Sequence, residues 1–328
     1  MNRVLITGGA GYIGSVLTGV LLEGGHEVRV VDALLHGGDA LLPFLVHPRF
    51  QFMRADVSKR GDWEAWAADA DAVVHLAAIV GFPSCRDVGE LVSRRYNVES
   101  VQRVYEAAKQ AKRFVFSSTY SVYGVGAEGL GVTEDSPLQP QSLYAETKIE
   151  AEQYLQSVRD NPCVPVIFRF ATLYGLSPRM RFDLIVNQFV LEALTIRRLV
   201  IFQRDYNRSF VHIRDVVEAI RKALEAPAER VRGEIFNVGS KQGNHSKVDI
   251  VERVKKHVPE VVVEYRDLTF GGDMRDVRVC FDKIQRALEY KAERTVDQGI
   301  VEVRNAITER LIAEPTLPRY RNHSFIVQ

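Results

Sequence analysis

The stretch that decides the fold is Val4-Leu5-Ile6-Thr7-Gly8-Gly9-Ala10-Gly11-Tyr12-Ile13-Gly14, close to the start of the chain. Its first residues have the composition of a buried strand, and its glycines follow the spacing Gly-x-x-Gly-x-x-Gly. Apolar residues then recur at helical spacing, at Val16, Leu17, Val20 and Leu21. A strand that enters a helix through a glycine-rich turn is the setting in which such glycines bind a dinucleotide.

Three glycines of the turn have distinct structural roles in a dinucleotide site. Gly8 permits the tight turn, Gly11 lets the backbone approach a pyrophosphate, and Gly14 lets the helix pack closely on the strand. The helix N-terminus offers free N–H groups and the positive end of its dipole to the phosphates, so Tyr12 and Ile13 of its first turn are counted as cofactor-binding too. The alternative is a glycine turn that binds nothing.

Asp32 ends a second apolar strand, about 18 residues after Gly14. A carboxylate at that position accepts hydrogen bonds from the adenosine ribose hydroxyls and repels a 2′-phosphate. No Lys or Arg follows it closely, because the next residues are Ala33-Leu34-Leu35-His36-Gly37. The sequence therefore favours NAD over NADP as cofactor. The alternative is an ordinary strand-end aspartate that caps a turn.

The composition is that of an ordinary globular protein, with 46% hydrophobic and 26% charged residues and a net charge of +1. This balance gives no reason to expect binding to nucleic acid or to a membrane surface. The N-terminus reads as a strand, not a signal peptide, and no apolar run reaches the roughly 20 residues that span a bilayer. Cys85, Cys163 and Cys280 lack metal-ligand spacing and suit a reducing compartment. We expect a cytoplasmic protein without a metal site.

The rest of the chain alternates strand-like and helix-like segments, which predicts an α/β fold with a doubly wound parallel sheet. Apolar strand patterns cover residues 4–6, 28–31, 50–54, 71–78, 113–116, 164–170 and 234–238. Helical patterns cover residues 63–68, 87–110 and 142–158. After Tyr174 the pattern loosens into helices and short strands.

Candidate catalytic residues lie in the middle of the chain. Tyr144 and Lys148 are four residues apart on a predicted helix and so share a face. An ammonium beside a phenol lowers the pKa of the phenol, which lets it take a proton from a sugar hydroxyl or return one. The alternative is a surface pair on an amphipathic helix. Thr119 favours the catalytic interpretation, because it ends the fifth strand at the edge where open α/β sheets bind ligands.

Taken together, these motifs resemble extended short-chain dehydrogenases/reductases, and more narrowly the NAD-dependent nucleotide-sugar epimerase/dehydratase family. The resemblance is carried by the glycine turn, Asp32, His75-Leu76-Ala77-Ala78, Phe116-Ser117-Ser118-Thr119-Tyr120-Ser121-Val122-Tyr123-Gly124, Tyr144 with Lys148, Arg169-Phe170-Ala171-Thr172-Leu173-Tyr174-Gly175 and Arg208-Ser209-Phe210-Val211-His212-Ile213-Arg214-Asp215-Val216. It covers the chain up to about Pro315.

The resemblance implies a role for each matching residue. Tyr144 would be the acid/base, Lys148 would bind the nicotinamide ribose and tune Tyr144, and Thr119 would hydrogen-bond the reacting hydroxyl. The other implied cofactor-binding residues are Asp56 and Val57 at the adenine, Leu76, Ala77 and Ala78 along the phosphates and ribose, and Ser117. The implied substrate-binding residues are Thr119, Tyr144, Thr172, Arg208 and Arg275, with Arg179 and Arg181 as competitors of the two arginines for the substrate diphosphate.

The departures from the family pattern narrow the expected reaction. Sugar-nucleotide 4,6-dehydratases carry Asp-Glu directly after the threonine, whereas this chain has Tyr120 and Ser121. The glutamate typical of decarboxylating relatives is also missing, and Thr172 replaces the usual asparagine. We therefore expect an NAD-dependent nucleotide-sugar epimerase that acts at C4. The alternatives are a nucleotide-sugar 4-ketoreductase or dehydrogenase and, less favoured, a dehydratase or a non-catalytic NAD-binding protein.

The resemblance also implies an organisation of the chain. Residues 1–173, with about 211–240 returning to the sheet, would bind NAD, and about 174–210 with 241–328 would form a smaller α/β domain for the nucleotide sugar. The helices predicted at 87–110 and 142–158 would pair across a two-fold axis into a homodimer; the alternative is that both pack only on the sheet. We expect His75 to be packed and hydrogen-bonded, Cys85 to line the pocket at most, and Asn97 to hold its helix against the active-site strand.

Overall fold

The computed structural model of the protein describes residues 2–125, 131–202, 205–266 and 276–322. The strands are β1 (Arg3–Thr7), β2 (Glu27–Asp32), β3 (Phe50–Arg54), β4 (Ala72–His75), β5 (Arg113–Thr119), β6 (Val164–Phe170), β7 (Thr172–Tyr174), β8 (Arg198–Phe202), β9 (Asn207–His212), β10 (Ile235–Val238), β11 (Asn244–Ser246) and β12 (Val262–Arg266). The α-helices are α1 (Tyr12–Glu23), α2 (Trp63–Ala68), α3 (Phe82–Val88), α4 (Glu90–Arg94), α5 (Ser100–Ala107), α6 (Leu143–Ser157), α7 (Ile185–Thr195), α8 (Ile213–Glu225), α9 (Lys247–His257), α10 (Asp282–Leu288) and α11 (Val296–Thr308).

Seven strands form one sheet in the order β10-β6-β5-β4-β1-β2-β3, and every neighbouring pair is parallel. In β1, Ile6 is paired with Val30 of β2 on one side and with Val74 of β4 on the other. The chain thus extends the sheet from β1 in one direction and then in the other, which leaves a crevice at the carboxyl ends of β1 and β4. This topology confirms the predicted doubly wound α/β fold.

Helices cover both faces of this sheet, so its strands are apolar on both sides. Val4 and Ile6 face the layer that contains α1 and α8, while Leu5, between them, faces the layer of α2, α5 and α6. Successive strand residues point to opposite faces, which is why a continuous apolar run such as Val4-Leu5-Ile6 is needed here. The two apolar layers hold the strand ends, and with them the site, in place.

Two smaller sheets lie in the C-terminal half of the chain. β9 pairs in parallel with β7 and antiparallel with β11, and β8 pairs in parallel with β12. The helices α7, α9 and α11 pack against one another beside them. β10 instead joins the large sheet next to β6, as its apolar sequence predicted.

Two predicted elements were wrong in their extent. The single helix predicted at 87–110 is divided at Gly89, whose φ of +81° is incompatible with a right-handed helix, and the chain then runs through α4, a π-helical turn and α5 to Ala107. The strand predicted at 71–78 ends at His75, because its neighbour β1 ends opposite at Thr7. Residues 76–78 thereby become loop backbone beside the glycine turn.

Candidate active site

A cavity of about 840 Å³ opens at the carboxyl ends of β1, β4 and β5. It is lined by every predicted site residue that lies in the described part of the chain: Gly8, Gly11, Tyr12, Ile13, Gly14, Asp32, Asp56, Val57, Leu76, Ala77, Ala78, Ser117, Thr119, Tyr144, Lys148, Thr172 and Arg208. Arg275, the other arginine predicted for the substrate diphosphate, lies outside the described residues. Residues from both halves of the chain thus meet in one cleft.

The glycine turn is shaped for close contact with a ligand. Gly8 has a φ of +74°, and a Cβ there would lie 2.6 Å from the backbone nitrogen of Ala77. A Cβ at Gly14 would lie 2.5 Å from the carbonyl oxygen of Gly8, so both positions require glycine. α1 begins after Gly11 without a side-chain cap, which leaves its first turn available to an anion. The turn therefore fits the diphosphate of a dinucleotide.

Two carboxylates mark the end of the cavity predicted for adenosine. Asp32 accepts hydrogen bonds from the backbone N–H groups of Ala10 at 3.0 Å and Leu34 at 2.7 Å. Burial raises the pKa of Asp32, and these two N–H groups oppose that shift. Each carboxylate oxygen has a further lone pair, so the side chain is held in place and can still accept from a ribose hydroxyl. Asp56 is fixed in the same way by the hydroxyl of Tyr96, at 2.8 Å.

The three predicted catalytic residues lie along one wall of the cavity. Thr119 ends β5 with 8% of its surface exposed, and its hydroxyl donates to the hydroxyl of Ser121 at 2.9 Å. Tyr144 and Lys148 lie one turn apart on α6, which begins where the hydroxyl of Ser142 accepts from a backbone N–H at 3.2 Å. The Nζ atom of Lys148 is 6.0 Å from the centre of the Tyr144 ring, close enough for its charge to favour a phenolate.

The ammonium of Lys148 is held in a fixed position. It donates to the carbonyl oxygen of Ser117 at 2.8 Å and lies 4.6 Å from the centre of the Phe116 ring. Burial lowers the pKa of Lys148 to about 8, while Cys85 and Glu152 act in the opposite direction. The side chain is therefore still mostly charged at neutral pH and can supply the positive charge beside Tyr144.

A buried polar network behind this wall was missed by the sequence analysis. Glu152, one turn after Lys148 on α6, pairs with Arg169 of β6 at 2.6 Å, and each side chain is 3% exposed. Glu152 also accepts a short hydrogen bond from Ser118, the residue before Thr119. The network thus joins the helix of Tyr144 to the strand of Thr119. The spacing Tyr144, Lys148, Glu152 along one helix face was the signal that could have revealed it.

The residue that departs most from the dehydratase pattern lines the cavity. Tyr120 is 2% exposed, and its hydroxyl lies 2.9 Å from the hydroxyl of Thr172, within hydrogen-bond distance. Thr172 begins β7, so this contact joins the end of the large sheet to the first strand of the second sheet. The phenol and the Ser121 hydroxyl occupy the two places where the sequence resemblance implies carboxylic acids in a dehydratase.

The chain matches a known protein family. The sequence profile of the NAD dependent epimerase/dehydratase family matches residues 4–239, about three quarters of the chain. The chain belongs to this family. NAD is accordingly its cofactor, and the glycine turn, the free first turn of α1 and Asp32 are the features of this structure that fit it.

Several known proteins are similar to this chain over nearly its whole length. The low-salt glycan biosynthesis protein Agl12 of Haloferax volcanii is 31% identical over 309 residues, which cover 90% of this chain and 96% of Agl12. A UDP-glucose 4-epimerase of Bacillus subtilis is 28% identical and covers 90% of this chain and 94% of the relative. The crystal structure of UDP-glucuronic acid 4-epimerase from Bacillus cereus, in complex with UDP-glucuronic acid and NAD, is similar with a TM-score of 0.83 and 27% identity, over 94% of this chain and 99% of that one.

The structure shows the surroundings of His75, Cys85 and Asn97, three residues singled out in the sequence. His75 lies 2.8 Å from the Thr7 hydroxyl, and burial lowers its pKa to about 3, which keeps it neutral. Burial raises the pKa of the Cys85 thiol, which disfavours the thiolate needed for a nucleophile, and Cys85 does not line the cavity. The side chain of Asn97 bonds both backbone groups of Ile79, at 2.8 and 3.0 Å, and so holds its helix to the loop after β4.

The C-terminal segment, which carries no family motif, packs against the same cavity. The carbonyl oxygen of Tyr320 accepts from the N–H of Phe182 at 2.9 Å, and the carbonyl oxygen of Asn322 accepts from the Ser84 hydroxyl at 3.2 Å. Arg321 and Asn322 line the cavity. The last described residues of the chain therefore contribute to the cavity. Among the described residues, no helix is long and apolar enough to cross a membrane.

Proposed function

We propose that the protein is an NAD-dependent nucleotide-sugar epimerase that inverts C4 through a transient 4-keto sugar. The observation that carries the proposal is the presence of Thr119, Tyr144 and Lys148 on one wall of the cavity that holds the glycine turn. Relatives named for the 4-epimerisation of UDP-sugars support the reaction and favour a UDP-sugar as substrate.

In this proposal, Tyr144 removes the proton of the C4 hydroxyl and later returns it. Lys148 stabilises the phenolate with its nearby ammonium, and Thr119 orients the hydroxyl through a hydrogen bond. The chemistry that NAD supplies when bound is acceptance of the C4 hydride and its return to the other face of the sugar. No side chain of the protein is oxidised or reduced in this reaction.

The side chains next to Thr119 favour epimerisation over dehydration. A 4,6-dehydratase needs carboxylic acids there to protonate a leaving hydroxyl and to remove the C5 proton. A phenol that bonds Thr172 and a serine hydroxyl that bonds Thr119 are too weakly acidic for that work. A 4-ketoreductase or dehydrogenase uses the same three catalytic groups and is the second candidate.

We further propose a division of binding between two parts of the chain. Residues 1–173, with about 211–240, would hold NAD, and about 174–210 with 241–328 would hold the nucleotide sugar. Support comes from Arg208, which is 2% exposed and lines the cavity from β9. A guanidinium suits a diphosphate. Arg208→Met should weaken binding of UDP and leave binding of NAD unchanged; equal losses for both would contradict the division.

We also infer a symmetric homodimer and a cytosolic location. Leu91 on α4 is 82% exposed, and Arg94 of α4 pairs with Glu150 of α6, so the two helices form one outer surface with an apolar residue on it. Light scattering should give twice the mass of the chain, and a strictly monomeric mass would defeat the inference. The cysteines are free thiols, which suits the cytosol, and native protein in a disulfide-forming compartment would contradict that location.

The reaction is tested by incubating the purified protein with NAD and UDP-, GDP-, dTDP- and CDP-sugars and separating the products. The proposal expects a C4 epimer from at least one of them, in the UDP series first. Tyr144→Phe is the matched control, since it keeps the ring and removes the hydroxyl. A 4-keto-6-deoxy product would instead indicate a dehydratase and would overturn the argument from Tyr120 and Ser121.

A further inference from the structure

One cation of the cavity lacks a partner in the described parts of the chain. Arg179 is 6% exposed and lines the cavity, and neither its Nε nor its Nη2 atom has a hydrogen-bond partner there. Among the described residues, no carboxylate forms an ion pair with it. Burying a charge without a hydrogen-bond or ion-pair partner destabilises the folded state by a large free energy. Where such a residue lines a ligand cavity, as Arg179 does, an anion that binds beside it is the best explanation.

The other charged groups nearby are already engaged. Arg181 forms a two-point pair with Asp183, at 3.1 and 2.6 Å. Asp32 lies within electrostatic range of Arg179, but its oxygens are oriented by backbone N–H groups and no hydrogen bond in the described residues joins it to Arg179. His36 is kept neutral, since burial and the two arginines lower its pKa to about 3. Burial and Arg181 also lower the pKa of Arg179, only to about 10, so it stays charged at neutral pH.

The segment that carries Arg179 is fastened to the glycine turn. Ser177, two residues before it, donates to the carbonyl oxygen of Tyr12 at 2.8 Å and lies 3.1 Å from the hydroxyl of Ser15. The hydroxyl of Tyr12 in turn donates to the carbonyl oxygen of Gly175 at 2.6 Å. Tyr12 and Ser15 belong to the first turn of α1. The segment that carries Arg179 is therefore held against the first turn of α1, and Arg179 lines the same cavity as that turn.

We propose that Arg179 binds the diphosphate of NAD together with the N-terminus of α1. The diphosphate carries two negative charges and offers the acceptors that Nε and Nη2 lack. The helix supplies N–H groups from one segment of the chain, and the arginine supplies a charge from another. The inference needs only that the chain binds NAD, which the family membership establishes, and does not depend on the epimerase reaction.

The test is the binding of nucleotides to Arg179→Met by titration calorimetry, after bound nucleotide has been removed from the protein. Charge-assisted hydrogen bonds predict a rise in the Kd of NAD, and of ADP, of about 10- to 100-fold. Adenosine, which has no phosphate, should bind within about 2-fold of its wild-type affinity, and UDP should be unaffected. Arg179→Lys should be intermediate, because it keeps the charge and loses the planar fork.

The matched control is Arg113→Met. Arg113 is 2% exposed and also has two nitrogens without a hydrogen-bond partner in the described residues, but it begins β5 at the opposite edge of the sheet. It should leave NAD and ADP binding unchanged. The nucleotide-free Arg179→Met protein should be at least as thermally stable as the wild type, because an unpaired buried charge has been removed.

Several results would overturn the proposal. Unchanged affinity of Arg179→Met for NAD and ADP would rule out a contact between Arg179 and the diphosphate. A loss confined to UDP would assign the arginine to the substrate, and a loss confined to NADP would assign it to a 2′-phosphate. An equal loss of adenosine and ADP binding, or a lower melting temperature without nucleotide, would indicate a structural role.

Discussion

Glu152→Gln removes one charge from the buried network behind the catalytic wall and keeps the shape of the side chain. In the wild type, Glu152 accepts from Arg169 at 2.6 Å and from Ser118, with both charged side chains 3% exposed. The variant leaves the charge of Arg169 buried without a carboxylate beside it, because the amide oxygen at position 152, the hydroxyl of Tyr123 and the carbonyl of Glu134 are uncharged acceptors. Breaking a buried ion pair from one side destabilises a protein by about 3–5 kcal/mol.

The assay is thermal or urea unfolding of wild type and variant, with Glu150→Gln as the matched control. Glu150 lies on the same helix and also pairs with an arginine, Arg94, but both side chains are about a third exposed, 36% and 35%. A pair of that kind contributes about 0–1 kcal/mol. Adding Arg169→Met to Glu152→Gln should restore part of the lost stability, because the uncompensated charge is then gone.

The same variant should alter catalysis through Lys148. Glu152 is one of the groups that raise the pKa of Lys148 against the effect of burial. Without that carboxylate the pKa falls below about 8, so less ammonium remains at neutral pH, and the high-pH decline of kcat moves to lower pH. If Glu152→Gln unfolds no more easily than Glu150→Gln and keeps the wild-type pH profile, the reasoning from burial is refuted.

The remaining predictions concern the cofactor and the proton. Tyr144→Phe should lower kcat by about 10²- to 10⁴-fold with little change in the Kd of NAD, and near-normal turnover would exclude it as the acid/base. Burial lowers the pKa of Lys148 to about 8, so its ammonium is lost as pH rises through that value; kcat in the wild type should therefore fall above about pH 8, and a flat profile up to pH 10 would contradict this. NAD should bind about 10- to 100-fold more tightly than NADP because of Asp32, which equal affinities in a calorimetric titration would disprove.

The positions of residues that depend only on a short stretch of sequence could be predicted. The glycine turn, Asp32, Thr119 and the pair Tyr144 and Lys148 all belong to strand ends or to a single helix turn. In a parallel sheet, the carboxyl ends of all strands lie at the same edge, so these positions come together once the strands are assigned. This is why residues far apart along the chain could be assigned to one cavity from their local patterns alone.

Features that depend on contacts between distant segments were not predicted. Arg169 reads as one residue of a family motif, and only the packing of α6 on the sheet brings it to Glu152. Tyr320 and Asn322 belong to a tail without a motif, and their partners lie in loops far away in the chain. The break at Gly89 could not be seen in the apolar spacing, because Val88 and Leu91 are three residues apart, as on one helix face, although Leu91 is 82% exposed.

The measurement that tests the central claim most directly uses a nucleotide sugar deuterated at C4. Wild-type protein with bound NAD is incubated with the substrate found in the product screen, while the absorbance of NADH is followed and the sugars are separated. An epimerase returns the deuterium to the carbon from which it came. We predict a C4-inverted product that retains the deuterium, with no net change in NADH; stoichiometric formation or consumption of NADH, or loss of the label to solvent, would contradict the account.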